Sequence, residues 1–211
     1  MVNTARHPSA DAKPDQPHAQ RPAGKRRRNA AKTRNDILAA AAQRFARSGY
    51  SNVTFQEIAD DIGVTPALIV RYFGNKLALF EEVAQNQQLS FPPLAGGDLQ
   101  TQMEARARAI LSYFEDRNAR APGIALIRSL DLDDGQLFRA ELERRIVQPW
   151  ASEIAGDDAE IQARLITGLL MGAGLFAVGA LTEPDKPPLE PEDAARFVHY
   201  LAKMLAACVE A

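Results

Sequence analysis

The chain has 211 residues, 46% of them hydrophobic and 25% charged, with a formal net charge of −2 at pH 7, as in an ordinary globular protein. Its single cysteine, Cys208, excludes a disulfide within the chain and a cysteine zinc cluster, and it suits a reducing cytoplasm. The N-terminal residues have no apolar core after their charges, so we expect no secretory signal.

The charges are unevenly distributed along the chain. Residues 1–34 carry nine Lys and Arg against two Asp, residues 35–80 carry four charges of each sign, and residues 81–211 carry twelve positive against twenty-one negative. A basic start joined to an acidic body indicates that a polyanion is bound at the N-terminal end. Residues 1–29 are also rich in Pro, Ala and Gln without a periodic apolar face, which predicts a disordered basic arm.

Two helices with clear boundaries follow the arm. Apolar residues recur at steps of three and four from Thr33, and Gly49 is a typical helix stop. Thr54 and Glu57 have the spacing of a capping box at the start of the second helix, which Gly63 ends.

A third helix begins only two residues later. Thr65 is a good N-cap, Pro66 occupies the first helical position and Gly74 ends the helix. Asn75 then caps a fourth helix. Two short helices joined by a tight glycine turn make a helix-turn-helix, so residues 30–80 are predicted to form a DNA-binding domain of this type.

The third helix has an inward and an outward face. With Ile69 directed to the core, Ala67 and Arg71 point directly outward. Leu68 and Val70 lie on the two flanks. Such a surface suits the major groove of DNA, where thymine offers a methyl group to apolar side chains and guanine offers two acceptors to arginine. The alternative is that these apolar side chains face a neighbouring helix in an ordinary bundle.

The order of residues in this domain also carries a family resemblance. The pattern is Thr54-(x)3-Ile58-Ala59-(x)3-Gly63-Val64-Thr65-(x)6-Tyr72-Phe73-(x)2-Lys76-(x)2-Leu79. It resembles the DNA-binding signature of the tetracycline-repressor (TetR) family of one-component regulators. The resemblance implies a recognition helix over Thr65–Tyr72 and phosphate contacts from Thr54, Tyr72 and Lys76.

Two departures from the family pattern leave the operator sequence open. Ala67 stands where glycine is usual, and Val70 stands where an aromatic residue is usual. We further expect Lys25–Arg28 to lie in a flanking minor groove, the alternative being a passive tail. The predicted DNA-binding residues are Arg26, Arg27, Arg28, Thr54, Thr65, Pro66, Ala67, Leu68, Val70, Arg71, Tyr72 and Lys76.

The remaining chain is predicted to be helical, which makes the fold class all-α. Helices are expected near residues 99–117, 122–131, 134–155, 158–182 and 191–209. Pro149 should interrupt the helix that contains it. Leu165–Thr182 carries no charge but holds four glycines, so a buried helix is favoured over a membrane span. By resemblance, residues 81–211 form an effector-binding and dimerisation domain.

A partner chain is expected because a palindromic site is bound by a two-fold dimer. The spacing Gly168-(x)3-Gly172 allows another helix to approach closely. The predicted dimer interface comprises Leu165, Leu169, Gly172, Phe176, Phe197, Leu201 and Leu205. The resemblance implies that the last two helices pair with their mates as a four-helix bundle, and the alternative is that both are simply core.

An effector pocket is predicted from the apolar residues of the middle helices, which exceed what packing of short helices obviously needs. Its predicted lining is Met103, Leu111, Tyr113, Phe114, Arg128, Phe138, Trp150, Thr167 and Met171, with Tyr113, Arg128, Arg145 and Thr167 as candidate polar anchors. We expect a small hydrophobic or aromatic effector. Plain core and exposed arginines are the alternative.

Together these predictions describe a DNA-binding regulator, by resemblance a repressor that its effector releases from a palindromic operator. We expect no enzymatic activity, metal or cofactor. His7 and His18 lie in the arm, and His199 has no second histidine with which to share a metal. The sequence also has no nucleophile elbow, phosphate loop or paired-glycine nucleotide fingerprint. The alternative is a helical adaptor that uses the helix-turn-helix for protein contact.

Overall fold

A computed structural model describes residues 23–86, 91–92, 97–177 and 189–210. Within these ranges the chain is helical without any strand, which confirms the all-α prediction. The helices are α1 (Ala23–Ser48), α2 (Phe55–Ile62), α3 (Pro66–Phe73), α4 (Lys76–Gln85), α5 (Leu99–Glu115), α6 (Arg117–Ile127), α7 (Gln136–Leu142), α8 (Gln148–Glu153), α9 (Ala159–Gly172) and α10 (Pro191–Glu210). A 3₁₀ turn covers Leu132–Gly135, and π turns cover Glu143–Val147 and Ala173–Ala177.

The first helix begins earlier than predicted. Because α1 starts at Ala23, residues 23–29 are helical and do not belong to a disordered arm. Alanine, lysine and arginine all have high helix propensity, so they extend the apolar helix toward the N-terminus. Residues 1–22 lie outside the described part of the chain.

The predicted caps of α2 and α3 are present. Thr54 and Glu57 form the reciprocal hydrogen bonds of a capping box at the start of α2. Gly63 ends this helix with a φ of +66°, a conformation that costs glycine little. The Thr65 hydroxyl oxygen accepts a hydrogen bond from the Leu68 N–H at the start of α3. These local bonds define the helix-turn-helix.

The N-terminal helices enclose a core of their own, in which α1 packs against α2, α4 and α6. Its fully buried large side chains include Ile37, Phe45, Ile58, Ile69, Leu79 and Phe80. Helix α6 adds Ala121, Ala125 and Leu126 to this core, while its Ile124 packs in the C-terminal core. Because α6 belongs to both cores, it joins the two parts of the molecule.

Helix α6 starts five residues before the predicted boundary at Pro122. The Asp116 carboxylate accepts hydrogen bonds from the N–H groups of Asn118 and Ala119 at 2.8 and 3.1 Å, which makes it the N-cap. Pro122 therefore lies inside the helix, in its second turn.

The helix predicted over residues 134–155 is divided into α7 and α8 by the π turn Glu143–Val147. Pro149 is the second residue of α8, two positions after this turn, in agreement with the predicted interruption. A proline has no N–H to donate to the carbonyl four residues earlier, so the α-helical hydrogen bond from Pro149 to the Arg145 carbonyl is missing.

The C-terminal helices enclose a second core around Trp150, which is completely buried. The buried Arg106 guanidinium lies 4.2 Å from the Trp150 ring, forms an ion pair with Glu153 and donates a hydrogen bond to the Pro92 carbonyl at 2.9 Å. These contacts fasten the segment at Phe91 and Pro92 to the C-terminal body. None of the helices that the structure describes combines the length and apolar character needed to cross a membrane.

Candidate nucleic-acid interface

The outward face of α3 consists of small and apolar side chains and one arginine. Ile69 and Phe73 are buried in the core beneath the helix. Ala67 and Arg71 are exposed on the opposite side, and the Val70 side chain on one flank is 46% exposed. This is the orientation that the helical wheel predicts.

Both ends of α3 are held by local hydrogen bonds. At the start, the Leu68 N–H donates to the Thr65 hydroxyl oxygen at 3.3 Å, and Pro66 occupies the first helical position. At the end, the Gly74 N–H donates to the Val70 carbonyl at 2.7 Å. Leu68 is half-buried on the flank. The exposed face is therefore carried by a short helix with fixed termini.

An ion pair fastens α2, the helix that supports α3, to α1. The Arg44 guanidinium donates to both carboxylate oxygens of Asp61, at 2.5 and 2.6 Å. These hydrogen bonds hold the pKa of the Asp61 carboxyl below its ordinary value. Hydrogen bonds from the Thr54 hydroxyl and backbone N–H likewise lower the pKa of Glu57. Charge-assisted bonds of this kind stiffen the base of the domain.

Lys76, predicted to contact phosphate, is engaged within the protein. Its Nζ donates hydrogen bonds to the carbonyl oxygens of Tyr50 and Val53 at 3.0 Å each, with a longer contact of 3.5 Å to the Ser51 carbonyl. The same ammonium lies 4.4 Å from the centroid of the Tyr50 ring. Lys76 thus ties the start of α4 to the turn between α1 and α2.

The hydroxyl groups predicted to contact DNA differ in their availability. Thr54 is exposed, but its hydroxyl donates to the Glu57 carboxylate at 2.8 Å. Thr65 is exposed and uses its hydroxyl oxygen as an acceptor in the cap of α3, which leaves the hydroxyl hydrogen to donate. Tyr72 is half-buried beside Phe73.

The basic run before Thr33 lies on the first turns of α1. Arg28 is exposed, whereas the side chains of Arg26 and Arg27 are outside those that the structure describes. A DNA contact from these positions would come from a helix that continues into the N-terminal core.

Comparison with known proteins matches both parts of the chain. The family model "Bacterial regulatory proteins, tetR family" matches residues 37–83, which contain the helix-turn-helix. The model "Tetracyclin repressor-like, C-terminal domain" matches residues 103–209, about half of the chain. The chain belongs to the TetR family. Members of this family are regulators with a DNA-binding helix-turn-helix, and they are not enzymes.

Solved structures share the TetR fold at low sequence identity. Salmonella enterica GusR is 23% identical with a TM-score of 0.64, covering 85% of this chain and 96% of its own. TylP, a TetR regulator from Streptomyces fradiae, is 24% identical with a TM-score of 0.62, covering 85% and 87%. NalD, the secondary repressor of the MexAB-OprM multidrug efflux pump in Pseudomonas aeruginosa, is 23% identical with a TM-score of 0.57, covering 83% and 96%. No curated protein matches the chain.

The C-terminal body of this TetR-family protein contains an apolar cavity of about 50 Å³ between α5, α6, α7, α9 and the two π turns. Four of the nine residues predicted to line a pocket line this cavity: Tyr113, Phe114, Phe138 and Met171. The others lie elsewhere: Met103, Leu111, Trp150 and Thr167 are buried in the core, and Arg128 is exposed after the end of α6.

The cavity also has charged residues in its wall. Arg120 and Glu141, which the sequence analysis did not single out, are both buried, and Arg145, a predicted anchor, lies beside them. The Glu141 carboxylate accepts hydrogen bonds from Arg144 at 2.6 Å and from Arg145 at 2.7 Å. The spacing of Glu141, Arg144 and Arg145 predicts ion pairs along one helix, but it does not indicate that the Glu141 carboxylate is buried.

Helices α9 and α10 present an apolar face to solvent. Leu165 is 62% exposed and Tyr200 60% exposed, and Ile161 and Met204 are also largely exposed. A shallow groove on this face is lined by Gly168, Leu169, Gly172, Ala173, Phe197, Tyr200, Leu201 and Met204. Exposed apolar patches of this kind mark interaction surfaces.

The predicted dimer residues are divided between this face and the core. Leu165, Leu169, Gly172 and Phe197 lie on the face, Leu201 lines its groove although almost fully buried, and Leu205 is buried in the core. The side chain of Phe176 is outside those described. Ile161, Tyr200 and Met204 are exposed apolar residues outside the predicted set, and Phe197, Tyr200 and Met204 follow one another at helical steps of three and four.

Proposed function

We propose that the protein is a transcriptional repressor that binds a palindromic operator as a homodimer and leaves it when a small apolar ligand is bound. The outward face of α3 carries this proposal. Ala67, Val70 and Arg71 are exposed on a helix whose ends and supporting helices are held by hydrogen bonds and ion pairs. These three side chains do not pack in the core of the single chain, so they are available to contact another molecule.

The chemistry of this face matches base edges in a major groove. Ala67 and Val70 supply methyl groups for van der Waals contact with thymine methyls, and Arg71 supplies a planar fork for the two acceptors of guanine. Thr65, Tyr72 and the basic first turns of α1 supply donors for the phosphates beside the groove. The net positive charge of residues 1–34 favours the approach of DNA, a polyanion, to this end of the chain.

The apolar face of α9 and α10 supports the homodimer. An added Cβ at Gly168 or Gly172 would meet no atom within 4 Å, so the backbone there is open to a second helix. A two-fold pair of these faces would bury Leu165, Tyr200 and Met204 of each chain. Half-sites for such a dimer are about 34–36 Å apart on the duplex.

Ligand-induced release is supported by the position of the cavity. Helix α6 lines the cavity through Gly123, Ile124 and Ile127, while its opposite side packs in the N-terminal core. A ligand that prefers one arrangement of α6 therefore changes the population of DNA-binding conformations. As a DNA-binding regulator of a bacterial family, the protein is expected in the cytoplasm.

The decisive experiment is selection of bound sequences from random duplex DNA, followed by fluorescence anisotropy on the selected site. We expect Arg71→Ala to weaken binding by about 5- to 150-fold for each half-site, the equivalent of one lost bidentate base contact per chain, and to relax specificity at one position of each half-site. Arg139→Ala removes another exposed arginine, on α7, and serves as the matched control. Failure of the wild-type protein to bind any duplex at low ionic strength would refute the proposal.

A further inference from the structure

The end of α6 lies against the turn between α1 and α2. A Cβ added to Gly49 in this turn would lie 2.7 Å from the carbonyl oxygen of Arg128, the residue that follows α6. Any other residue at this position would therefore push the two backbones apart. Gly49 also has a φ of +73°, which favours glycine for a second reason. The close approach of these two segments is thus built into the backbone.

A hydrogen bond fixes this contact. The backbone N–H of Tyr50 donates to the hydroxyl oxygen of Ser129 at 2.9 Å. Ser129 is 4% exposed, so water does not readily replace its hydroxyl as the acceptor. Because Ser129 lies two residues after Ile127, the last residue of α6, a displacement of the end of α6 moves the hydroxyl and the Tyr50 backbone with it.

Tyr50 in turn contacts α4. Its carbonyl oxygen accepts a hydrogen bond from the Lys76 ammonium at 3.0 Å, and the same ammonium lies 4.4 Å from the centroid of its ring. The ring also packs against Phe80 of α4, with the two centroids 5.2 Å apart. Lys76 begins α4, and two residues separate it from Phe73 at the end of α3. Ser129, Tyr50 and Lys76 therefore form a continuous contact path from the end of α6 to the base of α3.

The cavity in the C-terminal body lies at the start of this contact path. Gly123, Ile124 and Ile127 of α6 line the cavity, and a single residue separates Ile127 from Ser129. Protein interiors are close-packed, so packed helices shift as units and do not absorb a change in volume locally. A change in the cavity that displaces the end of α6 therefore acts directly on Ser129.

A second hydrogen-bonded contact joins α1 to the opposite end of α6. The side-chain amide of Gln43 donates to the carbonyl oxygen of Arg117 and to the side-chain oxygen of Asn118, at 3.1 Å each. Among the described residues, this amide forms no hydrogen bond with α2, α3 or α4. The Gln43 contact thus attaches the two halves of the protein without continuing to α3, which makes it a natural comparison for Ser129.

We propose that Ser129 is a positioning residue for α3, and that its hydroxyl transmits the state of the cavity through Tyr50 and Lys76 to the start of α4. The inference rests on the proposed DNA-binding function. Filling the cavity displaces the end of α6, and the displacement reaches α3 along the contact path. Removal of the Ser129 hydroxyl leaves both halves folded and in contact but interrupts the path, whereas removal of the Gln43 amide does not.

A double-mutant cycle on DNA affinity tests this coupling in the full chain. Met171→Phe replaces a flexible side chain of the cavity wall by a larger, rigid ring, so the protein carries its own substitute for a ligand. Ile110→Phe does the same from α5. Affinity is measured by fluorescence anisotropy on the selected duplex, and calorimetric melting verifies that each variant is folded.

The expected result is a loss of additivity that is specific to Ser129. In the wild-type background at least one of the two filling substitutions should weaken DNA binding by about 5-fold or more, the lower end of typical coupling between sites. In the Ser129→Ala background the same substitution should weaken binding by less than about 2-fold. Gln43→Ala is the matched control, and in its background the full weakening should remain. Ser129→Thr keeps the hydroxyl and should restore the coupling.

A purely structural role of Ser129 predicts a different result. Lower stability alone would reduce the melting temperature and leave the effects on DNA affinity additive, and additive effects would overturn the inference. So would equal loss of coupling in Ser129→Ala and Gln43→Ala, no effect of either filling substitution on binding, or coupling that stayed lost in a folded Ser129→Thr variant. Failure of the wild-type protein to bind any duplex would instead contradict the proposed function, so the two failures are distinguishable.

Discussion

Replacing Lys76 by methionine separates a structural role of this lysine from a phosphate contact. Methionine keeps most of the length and apolar volume of the side chain but removes the ammonium. Two hydrogen bonds of 3.0 Å to the Tyr50 and Val53 carbonyls are lost, together with the cation–π contact to the Tyr50 ring. Bonds from a charged donor contribute about 1.5–3 kcal/mol each and an exposed cation–π contact about 0.5–1 kcal/mol.

The expected loss of stability follows from these contacts. Because the turn is partly open to water, which can replace the lost donor at the carbonyls, we expect the total to be about 2–4 kcal/mol. For a chain of this size each kcal/mol lowers the unfolding midpoint by about 2–4 °C, so Lys76→Met should melt roughly 5–15 °C below the wild type. Differential scanning calorimetry measures this shift. Lys203→Met, at an exposed position of α10, is the matched control and should melt with the wild type.

The salt dependence of DNA binding tests the alternative role of Lys76, a contact with phosphate. A lysine that neutralises a phosphate contributes about 0.9 to the slope of log affinity against log salt concentration. With its ammonium engaged by carbonyls, Lys76 should contribute little, so the slope for Lys76→Met should equal that of the wild type well below the melting temperature. An unchanged melting temperature with a slope smaller by about 0.9 per chain would refute the structural role.

Three further predictions concern the acid stability of the domain, one glycine and the dimer. The lowered pKa of Asp61 means that its pairing with Arg44 stabilises the folded state above the unfolded-chain pKa of about 3.9 and is lost as the pH falls through the folded-state value. Asp61→Asn should therefore cost only about 0.5 kcal/mol for this partly exposed pair, and in urea titrations from pH 6 downward the difference from wild type should shrink as the pH falls below about 3.9. Gly63→Ala should cost about 1–2 kcal/mol from its φ of +66° alone, since no atom lies within 4 Å of an added Cβ; a loss above about 3 kcal/mol in the same titration would contradict a purely backbone effect. Leu165→Glu should give monomers in sedimentation velocity, while Ala105→Glu, at an exposed position of α5, should not. A dimer that survived the first substitution would place the interface elsewhere.

Much of the DNA-binding half is predictable because its signals are local. The capping box of Thr54 and Glu57, the glycine stop at Gly63 and the N-cap at Thr65 each depend on residues no more than five positions apart. The outward direction of Arg71 follows from its phase relative to Ile69 on one helix. Backbone hydrogen bonding and helical periodicity determine such features before any other element packs against them.

The local rules fail where a residue is engaged by a distant segment. Lys76 has the position of a phosphate contact in the family pattern, yet its ammonium is bound by carbonyls more than twenty residues earlier in the chain. In the same way, the spacing of Glu141 and Arg145 predicts an ion pair on a helix but not its burial beside a cavity.

By itself, the sequence determined the helix boundaries of the helix-turn-helix, the face of α3 that meets solvent, and the family to which the chain is similar. Only the tertiary structure decided which charges are buried, where the cavity lies, and that Arg145 reaches the end of α4 at Gln85. The physical reason is that caps and periodicity act within one or two helical turns. A guanidinium and a carbonyl sixty residues apart meet only when the packing of the intervening helices is complete.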